Sequence, residues 1–370
     1  MEEILSVRDL KRVYGRGTAA TQALGGVSLS VERGEFVGIM GPSGSGKTTL
    51  LNCIATIDRP TSGSIRVGGQ ELTGLRGRAL TRFRRERLGF IFQDCNLLDT
   101  LTAFENIALA LAITRAPAKE IEGRVREMSQ RLGIEDCLDK YPYQMSGGQQ
   151  QRCAAARAMV TRPDLVLADE PTGALDSRAA GLLLERLESL NRDLGATILM
   201  MPSPPVAAAG SSSCGTGRSS PSSSARGTDG TFSGRSWTWW PSWAGRSKMF
   251  CKLALGNVRR SFRDYGVYLL TLTFGVCLFY TFNSVEDQGA ILYLREKSHE
   301  TVRAILTVLS VLSVFVAVVL ACLILYAHRF LLRRRKKELG CYLLLGMSPG
   351  QVSRLLILET VVTGLISLFA

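Results

Sequence analysis

Histidine is almost absent from this chain: among 370 residues there are two, His299 and His328. Everything upstream of His299 must therefore do its chemistry without an imidazole. Nine cysteines are present but none stands in a C-x-x-C pair. That spacing indicates neither a disulfide framework nor a zinc site, and it fits a reducing, cytoplasmic setting. The N-terminus, Met1-Glu2-Glu3-Ile4, has no basic region followed by an apolar core, so no secretory signal is expected. Leucine and isoleucine vanish between 203 and 248. One acid there, Asp229, stands against Arg218, Arg226, Arg235, Arg246 and Lys248. Such a Ser/Gly/Pro-rich stretch could be a flexible linker.

The length exceeds the usual size of a single domain, and two domains are the starting expectation. Net charge is +13, unevenly placed. A second basic cluster, Arg333-Arg334-Arg335-Lys336-Lys337, follows a long apolar segment. Basic residues at the end of an apolar run indicate a membrane surface, and no nucleic-acid partner is expected.

One stretch organises the first 200 residues. Gly41-Pro42-Ser43-Gly44-Ser45-Gly46-Lys47-Thr48 matches the phosphate-loop pattern G-x-x-x-x-G-K-[ST] at every fixed position. The apolar run Glu35 to Met40 before it suits a buried strand, and Thr48-Thr49-Leu50-Leu51-Asn52 after it can open a helix. Glycines let backbone N–H groups face phosphates, and the helix N-terminus adds partial positive charge. Lys47 would reach the β- and γ-phosphates, and the Thr48 hydroxyl would take a place on Mg²⁺.

Other candidate residues are weak alone. Tyr14, in the turn-like Val13-Tyr14-Gly15-Arg16-Gly17, could stack on adenine, although an isolated tyrosine there is commonly just surface. The run Arg82 to Arg87 reads as a solvated helix face. Gln93 ends the strand Leu88 to Phe92, where an amide can bind Mg²⁺ or place a water. Thr102-Ala103-Phe104-Glu105 begins a capped helix. Ser146-Gly147-Gly148 at a helix start makes a second backbone anion site, or a plain cap. The strand Asp164 to Ala168 ends in two acids: Asp169 suits Mg²⁺ through its water shell and Glu170 suits polarising an attacking water.

Taken together, Tyr14, the loop 41–48, Gln93, Met145-Ser146-Gly147-Gly148-Gln149, Asp169-Glu170 and Ala174-Leu175-Asp176 stand in an order that resembles the ATP-binding-cassette (ABC) ATPases. The stretch 81–110 and Gln149-Gln150-Gln151-Arg152 resemble the subfamily serving lipoprotein release, macrolide export and bacitracin-type peptide resistance. The resemblance implies an α/β P-loop NTPase domain over 1–200 that binds ATP and Mg²⁺. It implies a head-to-tail dimer with a second ABC ATPase subunit, each ATP lying between one loop 41–48 and the other copy's Ser146-Gly147-Gly148. Nucleotide contacts would come from Tyr14, Gly41, Ser43, Gly44, Ser45, Gly46, Lys47, Thr48 and Thr49, with Ser146, Gly147, Gly148, Gln149 and Asp176 completing the partner side. Thr48, Gln93 and Asp169 would hold the metal, and Glu170, with Gln93, would carry catalysis.

The resemblance breaks after the strand Ala196 to Met200. Family members continue into a Thr-His-Asp segment whose histidine contacts the γ-phosphate, whereas this chain reads Met201-Pro202-Ser203-Pro204-Pro205. All four tryptophans then fall between Trp237 and Trp243. Back-translation of the following residues with GC-rich codons, read in a neighbouring frame, permits a strand, an Asp-Gly turn, a second strand and an apolar helix with an acidic end. We therefore read 201–248 as a disordered, frame-shifted C-terminus of the ATPase, with loss of the switch histidine.

Met249 looks like a fresh start. Residues 249–370 resemble the beginning of an FtsX-like permease of the bacitracin-exporter kind, making the C-terminal part a truncated, all-α transmembrane fragment with spans near 265–282, 304–326 and 355–370. Basic residues on both sides place the 283–303 loop outside and the ATPase in the cytoplasm, at the plasma (inner) membrane. Arg334 to Met347 reads as a cytoplasmic coupling helix able to dock near Gln93. Partners are then a second ATPase, a permease subunit and the membrane. The functional expectation is ATP hydrolysis driving peptide-antibiotic resistance or lipoprotein release. The alternatives are a nucleotide-binding but catalytically impaired fusion fragment, and a soluble cassette of translation or DNA repair.

Overall fold

In the computed structural model the described residues are 2–202, apart from Arg16 and Ser43, and 299–369, with a few isolated helical positions between 273 and 284. The segment 203–248 and most of the first expected span, 265–282, lie outside them.

Two sheets make up the first part. The strands β1 (Glu3–Tyr14), β2 (Thr21–Glu32), β4 (Ser62–Val67) and β5 (Gln70–Glu71) form an antiparallel sheet in the order β2-β1-β4-β5. The strands β3 (Phe36–Gly38), β6 (Leu88–Phe92), β7 (Leu165–Asp169) and β8 (Ile198–Met201) form a parallel sheet in the order β3-β8-β7-β6. The parallel strands are almost continuously apolar because both of their faces are covered. Ile91, Val166, Ala168 and Ile198 pack with helices α3 (Ala103–Thr114), α4 (Ala118–Leu132), α5 (Gly147–Met159) and α6 (Ser177–Leu194). On the other face Phe90, Leu165, Leu167 and Leu199 pack with α1 (Lys47–Ile54), Phe83 of α2 (Gly77–Arg87) and the antiparallel sheet. This is the α/β P-loop architecture expected.

Local chemistry fixes the helix ends. Thr102 and Glu105 close a capping box at α3, as the sequence pattern foretold. Asn106 is fully buried just inside that helix. Its amide donates to the carbonyls of Leu98 (3.0 Å), Leu101 (3.1 Å) and Thr102 (3.0 Å), and its Oδ1 accepts from the Leu98 N–H (2.8 Å). That one side chain replaces the backbone partners the 98–102 loop lacks.

Three expectations need correction. The run 35–40 is not a buried strand: β3 is three residues long, lies at the edge of its sheet among the described residues, and Met40 is 82% exposed. The chain leaves the sheet early to form the phosphate loop. Tyr14 is not in a turn but ends β1, paired with Thr21. The run 82–87 is not uniformly solvated. Phe83 is buried, and Arg84 donates through Nε to Thr56 Oγ1 and through a terminal nitrogen to the Thr56 carbonyl, both at 2.8 Å.

Further on come α7 (His299–Arg334), α8 (Lys336–Leu344) and α9 (Pro349–Phe369). The second expected span, 304–326, falls inside α7, and the third begins inside α9. Among the described residues no helix is long and apolar enough to cross a membrane. The stretch expected to be a coupling helix is α8, and it lies against the cassette. Cys341, Tyr342, Met347, Val352 and Leu355 share an apolar cluster with Leu98, Leu101, Leu109 and Ile113. Lys337 pairs with Asp94 at 3.3 Å. Gly346, at φ 84°, brings its backbone so close to α2 that an added Cβ would lie 2.4 Å from the Arg85 Cβ. Arg335 joins the two last helices through a buried ion pair with Glu359 and also holds Glu338 at 2.8 Å.

Candidate functional site

The C-terminal ends of the four parallel strands meet at one edge, where open α/β sheets present their ligand sites. β3 runs into the phosphate loop, and the loop leads straight into α1. Gly44 (φ 82°) and Gly46 (φ 89°) take left-handed backbone conformations that side chains resist. A Cβ on Gly46 would lie 2.4 Å from the Ala23 carbonyl, so the loop can sit against β2 only with glycine there. The first-turn N–H groups of α1, including those of Thr48 and Thr49, have no partner within the helix and face the loop end. Lys47 bends back over the loop, its Nζ donating to the Gly41 (2.7 Å) and Pro42 (2.8 Å) carbonyls. Ser45 N–H donates to the Pro42 carbonyl at 3.3 Å. Ser43 lies outside the described residues.

The acids arrive on β7. Asp169 is half-buried, with the Thr48 hydroxyl beside it. Burial pushes its carboxyl up, the Glu170 charge adds to that, and Lys47 and Thr48 pull the other way. Its Oδ1 is buried with no hydrogen-bond partner among the described residues. Such an acceptor, beside a threonine hydroxyl and a lysine, fits a hydrated divalent cation. Among the described residues no group of three His, Cys, Asp or Glu side chains could hold a metal. Glu170 follows in a left-handed conformation (φ 44°), with its N–H on the Met201 carbonyl at 2.9 Å. Such backbone strain on a non-glycine residue clusters at functional sites.

Gln93 is placed by register. Phe92 pairs with Asp169 across β6 and β7, so Gln93, exposed, leaves its strand next to Glu170. β8 lies between β3 and β7, with Met201 opposite Asp169. The chain therefore emerges between the phosphate loop and the acids as Met201-Pro202, which offers neither imidazole nor hydroxyl.

Tyr14 is 37% exposed, with the Arg12 guanidinium 4.4 Å from its ring centroid and its hydroxyl bonded to Asp58. One ring face is thus occupied by a cation and the ring is held at a fixed angle. Sequence reasoning missed Asp58 and Arg12 because neither carries a spacing signal.

The signature residues form a second, separate place. Ser146 caps α5, its Oγ accepting from Gln149 N–H (3.3 Å) while Gln149 Oε1 accepts from Ser146 N–H (2.9 Å). Gln149 is therefore committed to the capping box, and the Gly147 and Gly148 N–H groups of the first turn remain for an anion. Asp176 caps α6, accepting from Ala179 N–H at 2.7 Å. A shallow cleft lined by Ser146, Gly147, Gly148, Leu175, Asp176 and Arg178 joins the two caps and includes no residue of the phosphate loop. Within one chain the candidate residues thus form two half-sites, not one.

Two further residues have contacts that sequence reading did not assign, Gln151, quoted there only within a resemblance, and Arg157. Gln151, on α5, donates to the Phe92 carbonyl at 2.8 Å, and its Oε1 receives the Cys95 thiol. Arg157 is 2% exposed and donates to the carbonyls of Cys95 (2.9 Å) and Asn96 (2.7 Å). A single charge inside the Ala-rich run 153–159 was the available signal.

Residues 24–173 match the family described as ABC transporter, and residues 310–370 match the family described as FtsX-like permease C-terminal. The bacitracin export ATP-binding protein BceA of Halalkalibacterium halodurans is 50% identical over 205 residues, spanning 55% of this chain and 81% of that protein. The ABC transporter ATP-binding protein YxdL of Bacillus subtilis is 50% identical over 208 residues, 56% of this chain and 80% of that one. Among solved structures, the dimeric post-hydrolysis state of the ATP-binding cassette MJ0796 bound to ADP and Pi aligns with a TM-score of 0.50. It is 37% identical and covers 54% of this chain and 88% of that one.

Proposed function

This chain belongs to the ABC transporter family through its ATP-binding cassette, an ATPase that powers transport, and on that premise we propose how its two half-sites work and what they serve. The observation that carries the reading is the meeting of Lys47, Thr48, Asp169 and Glu170 at one sheet edge, with the signature Ser146-Gly147-Gly148 displaced to another cleft. Two copies arranged head to tail complete both sites, each phosphate loop facing the partner copy's signature.

In that arrangement the loop amides and Lys47 bind the β- and γ-phosphates, exchanging the Gly41 and Pro42 carbonyls for phosphate oxygens. Mg²⁺, when bound, neutralises charge on those oxygens, and Thr48, Gln93 and Asp169 are the residues that would hold it. Glu170 orients and polarises the attacking water as the general base. Tyr14 offers its uncovered ring face to the adenine.

The transport reading is peptide-antibiotic resistance of the bacitracin type, with lipoprotein release as the neighbouring option. It rests on the BceA and YxdL likeness and on the permease match over 310–370. Spans near 265–282, 304–326 and 355–370 would anchor the chain in the plasma (inner) membrane with the cassette on the cytoplasmic side. Support for the middle span comes from Val308, Val311, Val314, Phe315 and Val318, all exposed on α7, an apolar surface that requires a cover. The frame-shift reading of 201–248 stands with this, and the nucleotide sequence of the gene around Met200 tests it directly.

A second reading is favoured by Met201-Pro202 at the end of β8: nucleotide is bound well but turned over slowly, since no imidazole reaches the γ-phosphate from that strand. The deciding experiment measures ATP binding and hydrolysis by the full chain in membrane fractions, with Glu170→Gln as the inactive control. Binding and turnover matching an intact family member support transport-coupled hydrolysis. Binding with turnover no greater than that of Glu170→Gln supports the impaired reading, and absence of binding refutes both.

A further inference from the structure

We propose that the arginine face of α2 is a docking surface for anionic phospholipid headgroups, so that the cassette rests on the bilayer beside the helices that enter it. The helix Gly77–Arg87 carries five arginines, one glutamate and no lysine. Arg78, Arg82 and Arg85 recur at i, i+4 and i+7 and so share one face. Arg78 and Arg82 are exposed and pair with no carboxylate among the described residues, while Arg85 is mostly covered and holds Glu86 at 3.3 Å. Local helix physics disfavours this arrangement. No acid stands in the first turn, and Arg78 sits there against the positive end of the helix dipole. Arg78 and Arg82 repel each other one turn apart. An external anion offsets these costs, and a guanidinium fork suits phosphate oxygens better than an ammonium does.

Placement identifies the anion. Gly346, just past α8, packs its backbone on Arg85, so the arginine face borders the turn between α8 and α9. α8 follows α7 directly, and α7 continues only from 326 to 334 beyond the expected span, about 12 Å at about 1.5 Å per residue. The headgroup layer takes up about 5–8 Å of that distance. The charge of an anionic leaflet is felt about 8 Å further out at physiological salt. The cassette surface beside α8 therefore lies within the field of the headgroups. Arg333, Lys336 and Arg354, exposed on α7, α8 and α9, supply the basic residues that flank spans on this side. The acids beside α8 are engaged, Asp94 by Lys337 at 3.3 Å and Glu338 by Arg335 at 2.8 Å, which leaves Arg78 and Arg82 uncompensated.

This inference rests on the span proposed near 304–326, and one preparation tests both. The full chain is reconstituted into phosphatidylcholine bilayers with or without phosphatidylglycerol. Arginine side chains are labelled with phenylglyoxal and read by mass spectrometry, with the exposed Arg126 on α4 and Arg192 on α6 as references. A basic side chain at an anionic surface gains about fivefold in its partition constant. Labelling of Arg78 and Arg82 should therefore fall by about fivefold when phosphatidylglycerol is added, with the references unchanged. It should recover at about 1 M salt, where the field extends only about 3 Å. Hydrogen exchange across 77–87 should slow by a similar factor in the parent, and should be equal in the two bilayers in the double variant Arg78→Gln, Arg82→Gln. Equal labelling of Arg78 and Arg82 in the two bilayers, whether both open or both covered by protein, overturns the proposal. Protection by free glycerol phosphate in phosphatidylcholine alone also overturns it, in favour of a soluble phosphate site. Release of the chain from the bilayer by alkaline carbonate refutes the span and the placement of α2 with it, whereas retention without protection refutes the α2 surface alone.

Discussion

Asp169→Asn separates what this carboxylate does to the fold from what it does for the reaction. The side chain ends β7 half-buried, with Oδ1 unpaired among the described residues, and burial followed by the Glu170 charge raises its pKa against the pull of Lys47 and Thr48. A carboxyl whose folded pKa lies above its unfolded value binds more protons when folded. Its contribution is therefore complete below the unfolded pKa and is lost as pH rises through the folded pKa. At neutral pH the parent carries that loss. Asparagine removes the charge and keeps the size and shape of the side chain. Burial and the Glu170 charge act on the ionised form alone, and their relief at this half-buried site is worth on the order of 1 kcal/mol. For a cassette of about 200 residues, that is a gain of about 2–4 °C in Tm. Scanning calorimetry without nucleotide, from below the ordinary aspartate value of 3.8 up to about pH 8, should show the variant melting higher at the alkaline end and the gap closing toward the acid end. Turnover should be lost at the same time. A variant that melts below the parent at the alkaline end, or a gap that does not change with pH, refutes the reasoning.

Glu170→Gln should reduce turnover by about 10²–10⁴-fold with ATP binding retained, measured by single-turnover hydrolysis beside equilibrium binding. Lys47→Ala removes the charge-assisted donor now on Gly41 and Pro42, and nucleotide affinity should weaken by about 10–100-fold in a titration. Asn106→Leu strands the Leu98 N–H and the Leu98 and Leu101 carbonyls, and chemical denaturation should report a loss of about 3 kcal/mol or more. Ser146→Ala removes the α5 cap and should cost about 1 kcal/mol in the same experiment. Under the head-to-tail arrangement proposed above, Ser146 serves the other copy's phosphate loop, and the shortfall in turnover should exceed anything that stability explains.

Much of the site was legible in the residues. The loop 41–48, the acids at 169–170 and the Thr102–Glu105 cap are local patterns whose geometry follows from glycine freedom, strand ends and reciprocal side-chain bonds. Other readings failed where long-range packing decided the outcome. The run 35–40 looked like a buried strand, but its pairing partner is β8, far along the chain, and nothing local shows that only three residues pair. Arg84 looked solvated, yet Thr56 on another element claims it.

The sequence by itself determined that a glycine loop before a helix, two acids at a strand end and a Ser-Gly-Gly cap would exist, since each depends on neighbours within about eight residues. It also determined that no histidine could serve the cassette from its own length. Only the tertiary structure decided that Lys47, Thr48 and Asp169 meet, because that requires the parallel order β3-β8-β7-β6. The separation of the signature cleft from the phosphate loop within one copy, implied beforehand by the family resemblance, is visible only in the structure. And it alone brought Arg157 to Asn96 and Cys341, contacts that span 61 and 184 positions and that local sequence signals cannot encode.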